Sequence, residues 1–258
     1  MKYLFILFSV FCFSQNIKTV GAELLGKTSG FQKGLIYIDD FNTSYFLRDN
    51  TLYKNSNGTV INYSNVQLGK LESVNLFNPL KINLFYKDFN TVIILDNRLA
   101  EIFKIDFNAS QSYKNVLLVS TGSDNTIWIY NQEMQRLELF DYKTKKLRAT
   151  TIPIQSNVLD LKSDYNFCWL LTEDYIYEFN YFGILIQKIE NEGFTSLEQI
   201  KGNLILRKKN DLFYLRKDAK KPIHINLPKL LINAFFAKGE TLYIYDTNSL
   251  YKYQLKIN

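Results

Sequence analysis

Residue types that build cross-linked scaffolds and metal centres are scarce in this sequence. Its 258 residues include two cysteines, Cys12 and Cys168, and one histidine, His224. Two cysteines cannot supply the several disulfides of a small secreted scaffold, and one histidine cannot build a multi-histidine metal centre. With only four prolines and eleven glycines, the chain cannot be collagen-like or proline-rich. The remaining composition is that of a globular protein, with 47% hydrophobic and 22% charged residues.

Motifs of the common enzyme classes are also missing. There is no G-x-S-x-G elbow and no glycine-rich phosphate loop. A Ser/His/Asp or Cys/His mechanism would have to use His224, whose neighbours in PIHINL alternate in polarity as in a strand. The net charge of +6 is mild, and basic residues cluster only at Lys143–Lys146 and Lys217–Lys221. We therefore expect no catalytic residue, no metal, no cofactor and no nucleic-acid partner, and we expect Cys168 to be a core side chain.

The first 14 residues, MKYLFILFSVFCFS, have the form of an export signal. A lysine precedes the apolar run Tyr3–Phe13, which is shorter than the roughly 20 residues that span a bilayer. Small side chains at Cys12 and Ser14 suit cleavage after Ser14. We therefore predict a signal peptide over residues 1–14 and a single domain over residues 15–258, with no transmembrane segment. We expect the protein in the periplasm, at the outer membrane or at the cell surface. The alternatives are a buried strand, a short anchor and lipidation of Cys12.

Six segments share one pattern, in which a polar turn separates two β-rich runs. They are Ser44–Tyr53, Thr91–Ile105, Thr126–Phe140, Phe167–Phe179, Leu204–Leu215 and Leu242–Tyr253. Their turns recur about every 40 residues, which is typical of the four-stranded blade of a β-propeller. The last unit stops after three strands, and the strand-like segment IKTVGAELL opens the mature chain. We therefore predict an all-β, six-bladed β-propeller of four-stranded antiparallel blades, closed by the N-terminal strand joining the C-terminal blade. Seven blades or a β-sandwich are the alternatives.

The repeat resembles one group of known propellers. In DNTIWIYNQEMQRLELFD a turn leads into an apolar strand, a polar turn and a leucine-containing strand. This phrase and the blade period are similar to those of the NHL, TolB-like and YncE-like bacterial β-propellers, and the resemblance covers most of the mature chain. It implies an architecture and no particular activity. The sequence departs from kelch, WD40 and quinoprotein propellers, since it has no Gly-Gly pairs, no repeated Trp-Asp ends and only two tryptophans.

Polar turn residues form the candidate binding surface. In a propeller, the turns between second and third strands share one face with the crossings between blades. We interpret the segment NPLK, Asn78–Lys81, as such a crossing, stiffened by its proline. The predicted partner-binding face consists of Arg48, Asp49, Asn50, Asn78, Pro79, Lys81, Asp96, Asn97, Arg98, Glu173, Asp174, Asp246 and Asn248. The alternative for each residue is a purely structural turn role.

These features favour a non-enzymatic, exported binding or scaffold module. Its partners would be envelope proteins, and it would act as an accessory subunit of a bacterial outer-membrane or periplasmic complex. A cation-dependent propeller hydrolase or lactonase is one alternative, which requires at least three acidic or amide side chains converging on the central channel. A glycan or peptidoglycan-fragment binder is the other, which requires three or more surface aromatics beside the Asn-rich turns.

Overall fold

The computed structural model describes residues 19–29, 34–39, 41–109 and 113–257. Its regular structure within these ranges is 24 strands and two three-residue 3-10 turns. The predicted all-β class is therefore confirmed. The predicted signal peptide over residues 1–14 lies outside the described residues. No helix in the described part of the chain is long and apolar enough to span a membrane.

Four of the sheets each contain four consecutive strands. The first strand of the chain, β1 (Val20–Ser29), belongs to a different sheet. The first four-stranded sheet contains β2 (Leu35–Ile38), β3 (Ser44–Arg48), β4 (Thr51–Ser56) and β5 (Thr59–Tyr63). The second contains β6 (Ser73–Asn75), β7 (Ile82–Tyr86), β8 (Thr91–Leu95) and β9 (Glu101–Asp106), with 3-10 turns at Val66–Leu68 and Lys87–Phe89. The third contains β10 (Val116–Thr121), β11 (Thr126–Asn131), β12 (Arg136–Asp141) and β13 (Lys146–Thr150). The fourth contains β14 (Val158–Ser163), β15 (Phe167–Thr172), β16 (Tyr175–Asn180) and β17 (Leu185–Glu190).

The remaining strands form one eight-stranded sheet that includes both ends of the described chain. It contains β18 (Ser196–Ile200), β19 (Asn203–Lys208), β20 (Asp211–Leu215), β21 (Ile223–Asn226), β22 (Ala234–Lys238), β23 (Thr241–Tyr245) and β24 (Ser249–Lys256). The order is β18-β19-β20-β21-β1-β24-β23-β22. The N-terminal strand β1 pairs with β24 in antiparallel register, from Gly21 opposite Lys256 to Ser29 opposite Ser249. The predicted pairing of the two ends of the chain is thus present.

One contact in this sheet was not predicted. β1 also runs parallel to β21 over two residue pairs, Val20 with Ile225 and Gly21 with Asn226. This short contact joins two antiparallel groups of four strands, β18–β21 and β22–β24 with β1, into a single hydrogen-bonded sheet. The expectation of separate four-stranded sheets is therefore confirmed for the first four sheets, whereas the last eight strands are hydrogen-bonded into one sheet.

Apolar residues on both faces of the strands explain how the sheets pack. In the second sheet, Leu84 and Ile93 belong to a cluster shared with the first sheet, whereas Phe85 and Ile94 belong to a cluster shared with the third. Successive side chains of a strand point to opposite faces, so a strand that is buried on both sides is apolar throughout. The segment TVIIL of β8 is accordingly buried at every position.

The sheets follow one another around a ring. Six apolar clusters of the described residues each join one group of four strands to the next. The cluster containing Phe236 and Tyr243, whose rings stack with centroids 4.6 Å apart, packs the last strands against Leu35 and Phe46 of the first sheet. First strands of neighbouring groups contact each other near the axis, including β22 with β2. Fourth strands such as β13 and β17 lie at the outside and are largely exposed.

Five of the six hairpins predicted from the repeat are second and third strands of their groups. The exception is Thr91–Ile105, which comprises the third and fourth strands, β8 and β9. The second-to-third turn of this sheet is Lys87–Asn90, a 3-10 turn that ends with Asn90 in the left-handed region at φ +48°. The prediction therefore shifted this unit by one strand toward the C-terminus.

Candidate functional site

The turns of the ring lie on two opposite rims. In an antiparallel meander, successive turns alternate between the two ends of the strands. One end carries the turns between second and third strands together with the connections to the next group, and we call it the crossing rim. The other end carries the turns between first and second and between third and fourth strands, and we call it the hairpin rim. The predicted partner-binding residues can be placed on these rims from the strand order.

The structure divides the predicted single face between both rims. The crossing rim holds Arg48, Asp49, Asn50, Glu173, Asp174, Asp246 and Asn248. The hairpin rim holds Asn78, Pro79 and Lys81, which join β6 to β7, and Asp96, Asn97 and Arg98, which join β8 to β9. The segment Asn78–Lys81 is therefore a turn inside one sheet and not a crossing between sheets. The cause is the same one-strand shift of the second unit.

Polar side chains on the crossing rim mainly hold the chain in place. The Asn50 Oδ1 atom accepts a hydrogen bond from the Leu71 amide at 3.4 Å, and Asn210 Oδ1 accepts one from the Ile232 amide at 3.3 Å. Asn90, which the sequence analysis did not single out, is buried and bonds the carbonyl of Lys114 and the amide of Val116. These asparagines tie second-to-third turns to the crossings beside them. A repeat of about 40 residues, counted from the turn at Asn50, would have placed the next second-to-third turn at Asn90.

A buried ionic group fixes one of these crossings. Lys114 Nζ lies 2.7 Å from Glu138 Oε2, and the side chains are 9% and 1% exposed. Arg136 donates two hydrogen bonds to the other oxygen of Glu138, at 3.0 and 2.9 Å. A carboxylate bound from both sides in this way is satisfied although it is desolvated. The group anchors the crossing to the third sheet and leaves no polar atom of Glu138 free for a ligand.

Asp246 shows that turn carboxylates on this rim are similarly engaged. Its Oδ1 atom accepts hydrogen bonds from the amides of Asn248 and Ser249, at 2.7 and 2.6 Å. The hydrogen bond from the Asn248 amide does most to lower the pKa of this carboxyl below its ordinary value. The same local arrangement occurs on the hairpin rim, where Asp96 Oδ1 accepts from the amides of Arg98 and Ala100. These side chains stabilise their own turns.

The hairpin rim contains a groove with a volume of about 670 Å³. Three sheets line it: the second contributes Lys81, the third contributes Asp124 and Arg148, and the fourth contributes Tyr181 and Phe182. Lys81 Nζ donates to the carbonyl of Asp124, which connects the first two of these sheets. The groove therefore presents charged groups on one side and an exposed pair of aromatic rings on the other, with centroids 4.0 Å apart.

The charged side of the groove is held by a two-point contact. Arg148 Nε and Nη2 lie 3.0 and 2.6 Å from Asp141 Oδ2, while Asp141 Oδ1 accepts from the amides of Lys143 and Thr144. Burial raises the pKa of Asp141, but the bonds from Thr144 and Arg148 outweigh it and leave the pKa below its ordinary value. The guanidinium is thereby fixed in orientation and still more than half exposed.

The aromatic side of the groove is presented by a rigid turn. Asn180 Oδ1 accepts hydrogen bonds from the amides of Phe182 and Ile184, both at 3.0 Å. Gly183 adopts φ +77°, and a Cβ atom there would lie 2.6 Å from the carbonyl oxygen of Thr150. Only glycine fits this close approach to β13. The turn holds both rings outward.

The central cavity is much smaller than the groove. Its volume is about 100 Å³, below the roughly 300–1,000 Å³ of typical small-molecule sites. Lys162 Nζ lies 2.5 Å from Glu198 Oε1 across neighbouring first strands. Burial alone would lower the pKa of Lys162, but the carboxylates of Glu198 and Asp160 outweigh it and raise the pKa. An ammonium–carboxylate pair therefore occupies one side of the channel.

The residues around the channel do not form an evident cation site. Three amide or acidic side chains line it, namely Asn75, Glu198 and Gln199. However, Glu198 is paired with Lys162, and Asn75 Nδ2 donates to Ser120 Oγ at 3.1 Å. The positive charge of the lysine opposes a bound cation. Among the described residues no group of three or more His, Cys, Asp or Glu side chains is suited to hold a metal ion.

His224 and Cys168, the residues that the sequence offered as base and thiol, lie outside the groove and the channel. His224 is on the outer strand β21, where its Nε2 atom is 3.3 Å from Asp211 Oδ1 and its ring contacts Phe213 edge-on. Cys168 is fully buried, as predicted, and burial raises the pKa of its thiol. A buried thiol with a raised pKa is a poor nucleophile. Neither residue contributes to a nucleophile–base pair in the described contacts.

Comparison with known proteins identifies the architecture. No family model matches the sequence, and no curated protein matches it. Among solved structures, a catalytically inactive histidine-to-alanine variant of virginiamycin B lyase from Staphylococcus aureus, with quinupristin, is similar with a TM-score of 0.61 and 12% identity, covering 86% of this chain and 82% of that one. The Pan2 WD40 domain of Neurospora crassa has a TM-score of 0.58 and 10% identity, covering 88% and 75% of the two chains.

A third similar structure comes from a protein assembly. A chain of the mitotic checkpoint complex has a TM-score of 0.56 and 11% identity, and the match covers 98% of this chain and 97% of that one. Identities this low show similarity of fold alone. The ring of antiparallel sheets and these structural neighbours together show that this chain has a β-propeller fold.

Proposed function

We propose that the chain is a six-bladed β-propeller that binds a protein partner and performs no catalysis of its own. The blade number is supported by the six apolar clusters, each of which joins consecutive groups of four strands. It is also supported by the brevity of the contact between β1 and β21, which covers only two residue pairs. On this interpretation β1 is the outer strand of the sixth blade.

The observation that carries the binding function is the groove on the hairpin rim. Its exposed rings, Tyr181 and Phe182, and its exposed guanidinium, Arg148, are held by hydrogen bonds and close packing. Aromatic and arginine side chains are enriched at the energetic centres of protein interfaces. Because these groups are already ordered, a partner would lose little conformational entropy in fixing them. Asn78, Pro79 and Asp96 to Arg98 lie on the same rim and would contribute to the surrounding contact.

Catalysis of the kind found in the lyase neighbour is not supported. The variant of that lyase in which one histidine is replaced by alanine is catalytically inactive. The single histidine of this chain, His224, lies on an outer strand, and it lines neither the groove nor the channel. The glycan-binding alternative requires three or more clustered aromatics, whereas two aromatic rings line the groove.

Export remains part of the proposal and rests on residues 1–14 alone. The partner would then be a protein of the bacterial envelope, either periplasmic or part of an outer-membrane complex. The intact mass and N-terminal sequence of the protein recovered from the periplasm would test this directly. We expect a chain that begins at Gln15, whereas an intact leader or a cytoplasmic protein would contradict export.

Quantitative affinity capture from native envelope extract tests the binding function. We expect at least one protein to be enriched by the wild-type chain and by Asp174→Lys, an exposed change on the crossing rim, and to be depleted about tenfold by Phe182→Asp. Asp174 serves as the matched control because it is also an exposed turn residue of the fourth sheet. Enrichment that is indifferent to Phe182→Asp would contradict a site in the groove.

A further inference from the structure

A run of exposed apolar residues lies beside the groove. In the segment YFGILI, every residue except Gly183 has a large apolar side chain that is at least one-third exposed. The exposed fractions are 43% for Tyr181, 60% for Phe182, 58% for Ile184, 37% for Leu185 and 51% for Ile186. Single exposed apolar residues are common, but five in a segment of six, three of them consecutive, are rare unless the surface binds something.

This run continues onto the free edge of a sheet. The order of the fourth sheet is β14-β15-β16-β17, so no described strand pairs with the outer edge of β17. The other outer strands of the first three sheets are less apolar. Each has one large exposed apolar residue, namely Val60 on β5, Ile102 on β9 and Leu147 on β13. Natural edge strands usually avoid exposed apolar runs because such edges attract further strands.

A basic turn on the hairpin rim lies beside β17. Gln187 Nε2 donates to the carbonyl of Ala219 at 2.9 Å, which connects the middle of β17 to the turn between β20 and β21. That turn exposes Lys217, Lys220 and Lys221, together with one carboxylate, Asp218. Lys188 on β17 is also exposed, and its ammonium lies over the Tyr175 ring at 3.6 Å. Glu190 ends the strand, so the charge of this flank is positive on balance.

We propose that the outer edge of β17 binds an extended segment of a partner protein as an added fifth strand. The segment would alternate apolar with polar residues, to cover Leu185 and Ile186, and would carry acidic residues at the end that faces Lys217, Lys220 and Lys221. Main-chain hydrogen bonds would give affinity, and the two side-chain features would give specificity. This inference rests on the proposed binding function and specifies its mode.

The free edge itself favours a protein strand over a lipid surface. Aromatic residues flanked by lysines also suit an anionic membrane. However, inserting the edge of β17 into hydrocarbon would leave its unpaired N–H and C=O groups without hydrogen bonds, which is costly for each group. An added strand pairs the same groups. A membrane is therefore the competing outcome that the experiment must exclude.

The test measures fluorescence anisotropy with the mature full-length chain and a labelled synthetic peptide of about ten residues, enough to span β17 and its turn. The peptide alternates valine with threonine and ends in three aspartates. We expect binding that falls at least about tenfold for Ile186→Lys and is unchanged for Ile102→Lys, the matched change on the outer strand β9. The double variant Lys220→Glu/Lys221→Glu should reverse the preference toward a peptide that ends in lysines.

A second peptide distinguishes strand addition from apolar contact. It has the same sequence, with alternate backbone amides N-methylated so that they cannot donate. Strand addition requires the loss of binding, and equal binding by the methylated peptide would overturn the proposal. Failure of the unmethylated peptide to bind, or binding that is unaffected by Ile186→Lys, would also overturn it.

Vesicles containing phosphatidylglycerol form a further arm of the experiment. Binding of these vesicles that depends on Ile186, without peptide binding, would assign the surface to lipid and overturn the proposal. Failure of strand addition can also be distinguished from failure of the proposed binding function. If the peptide fails while Phe182→Asp still depletes a captured partner, the edge-strand mode is wrong and the binding function stands.

Discussion

Replacing Glu138 by glutamine should strongly destabilise the fold. The carboxylate is 1% exposed and binds Lys114, whose side chain is 9% exposed. Glu138→Gln keeps the size of the side chain but leaves the Lys114 ammonium buried without a counter-charge. Removing one partner of a buried ion pair typically costs about 3–5 kcal/mol. At this chain length, each kcal/mol corresponds to roughly 2–4 °C, so the midpoint of thermal unfolding should fall by about 6–20 °C.

Urea unfolding followed by tryptophan fluorescence measures this change, because Trp128 and Trp169 are buried in the core. The double variant Lys114→Met/Glu138→Leu removes both charges, and we expect it to recover most of the lost stability. Lys256→Gln is the control, since its partner Glu23 and the lysine itself are both more than half exposed. We expect no measurable effect there. A loss below about 1 kcal/mol for Glu138→Gln would refute the reasoning, because it would mean that water screens the pair.

Four further outcomes are expected. Cys168 should not react with Ellman's reagent in the native protein and should react fully in guanidinium, since the thiol is buried and its pKa is raised; rapid native labelling would contradict this. Gly183→Ala should cost about 1–3 kcal/mol through its positive φ and its contact with Thr150, and should weaken partner capture; unchanged stability would show that the turn can shift. The backbone amide of Ala100 does most to lower the pKa of Asp96, and the backbone amide of Asn248 does most to lower the pKa of Asp246. The stabilisation of the fold by these two carboxylates is therefore complete above the pKa of the unfolded state, and it is lost as the pH falls through the lower pKa of the folded state. The urea midpoint should fall on acidification below about pH 4, and it should fall less steeply in the double variant Asp96→Asn/Asp246→Asn. Treatment with a chelator should leave the thermal midpoint and partner capture unchanged, and a fall in either would favour the cation-dependent alternative.

The architecture could be predicted from the sequence because its repeat depends on local chemistry. Asparagine and aspartate favour tight turns, and runs of β-branched and aromatic residues favour strands. These signals located five hairpins correctly. They failed in the second sheet, where LDNR resembles a second-to-third turn more closely than the true turn, KDFN. That single shift placed Asp96, Asn97 and Arg98 on the wrong rim and hid the role of Asn90.

The groove could not be predicted in the same way. The letters YFGILI predict burial when they are read alone, because apolar residues usually lie in the core. Their exposure follows from position, since they form the last turn and the outermost strand of a sheet. Whether a strand is innermost or outermost depends on contacts between residues far apart in the chain. Lys81, by contrast, was singled out from its turn and does line the groove, although the face to which it was assigned was the wrong one.

The pairing of β1 with β24 has a consequence for how this protein reaches its native state. The partners Gly21 and Lys256 are more than 200 residues apart, so the contact has to wait until nearly the whole polypeptide is available. Loop-closure entropy makes contacts of such long range slow to form. Until they form, the outer edge of β24 is open to pairing with other chains. The slowest and most aggregation-prone interval of folding should therefore be the last one, when every other strand has already found its neighbours.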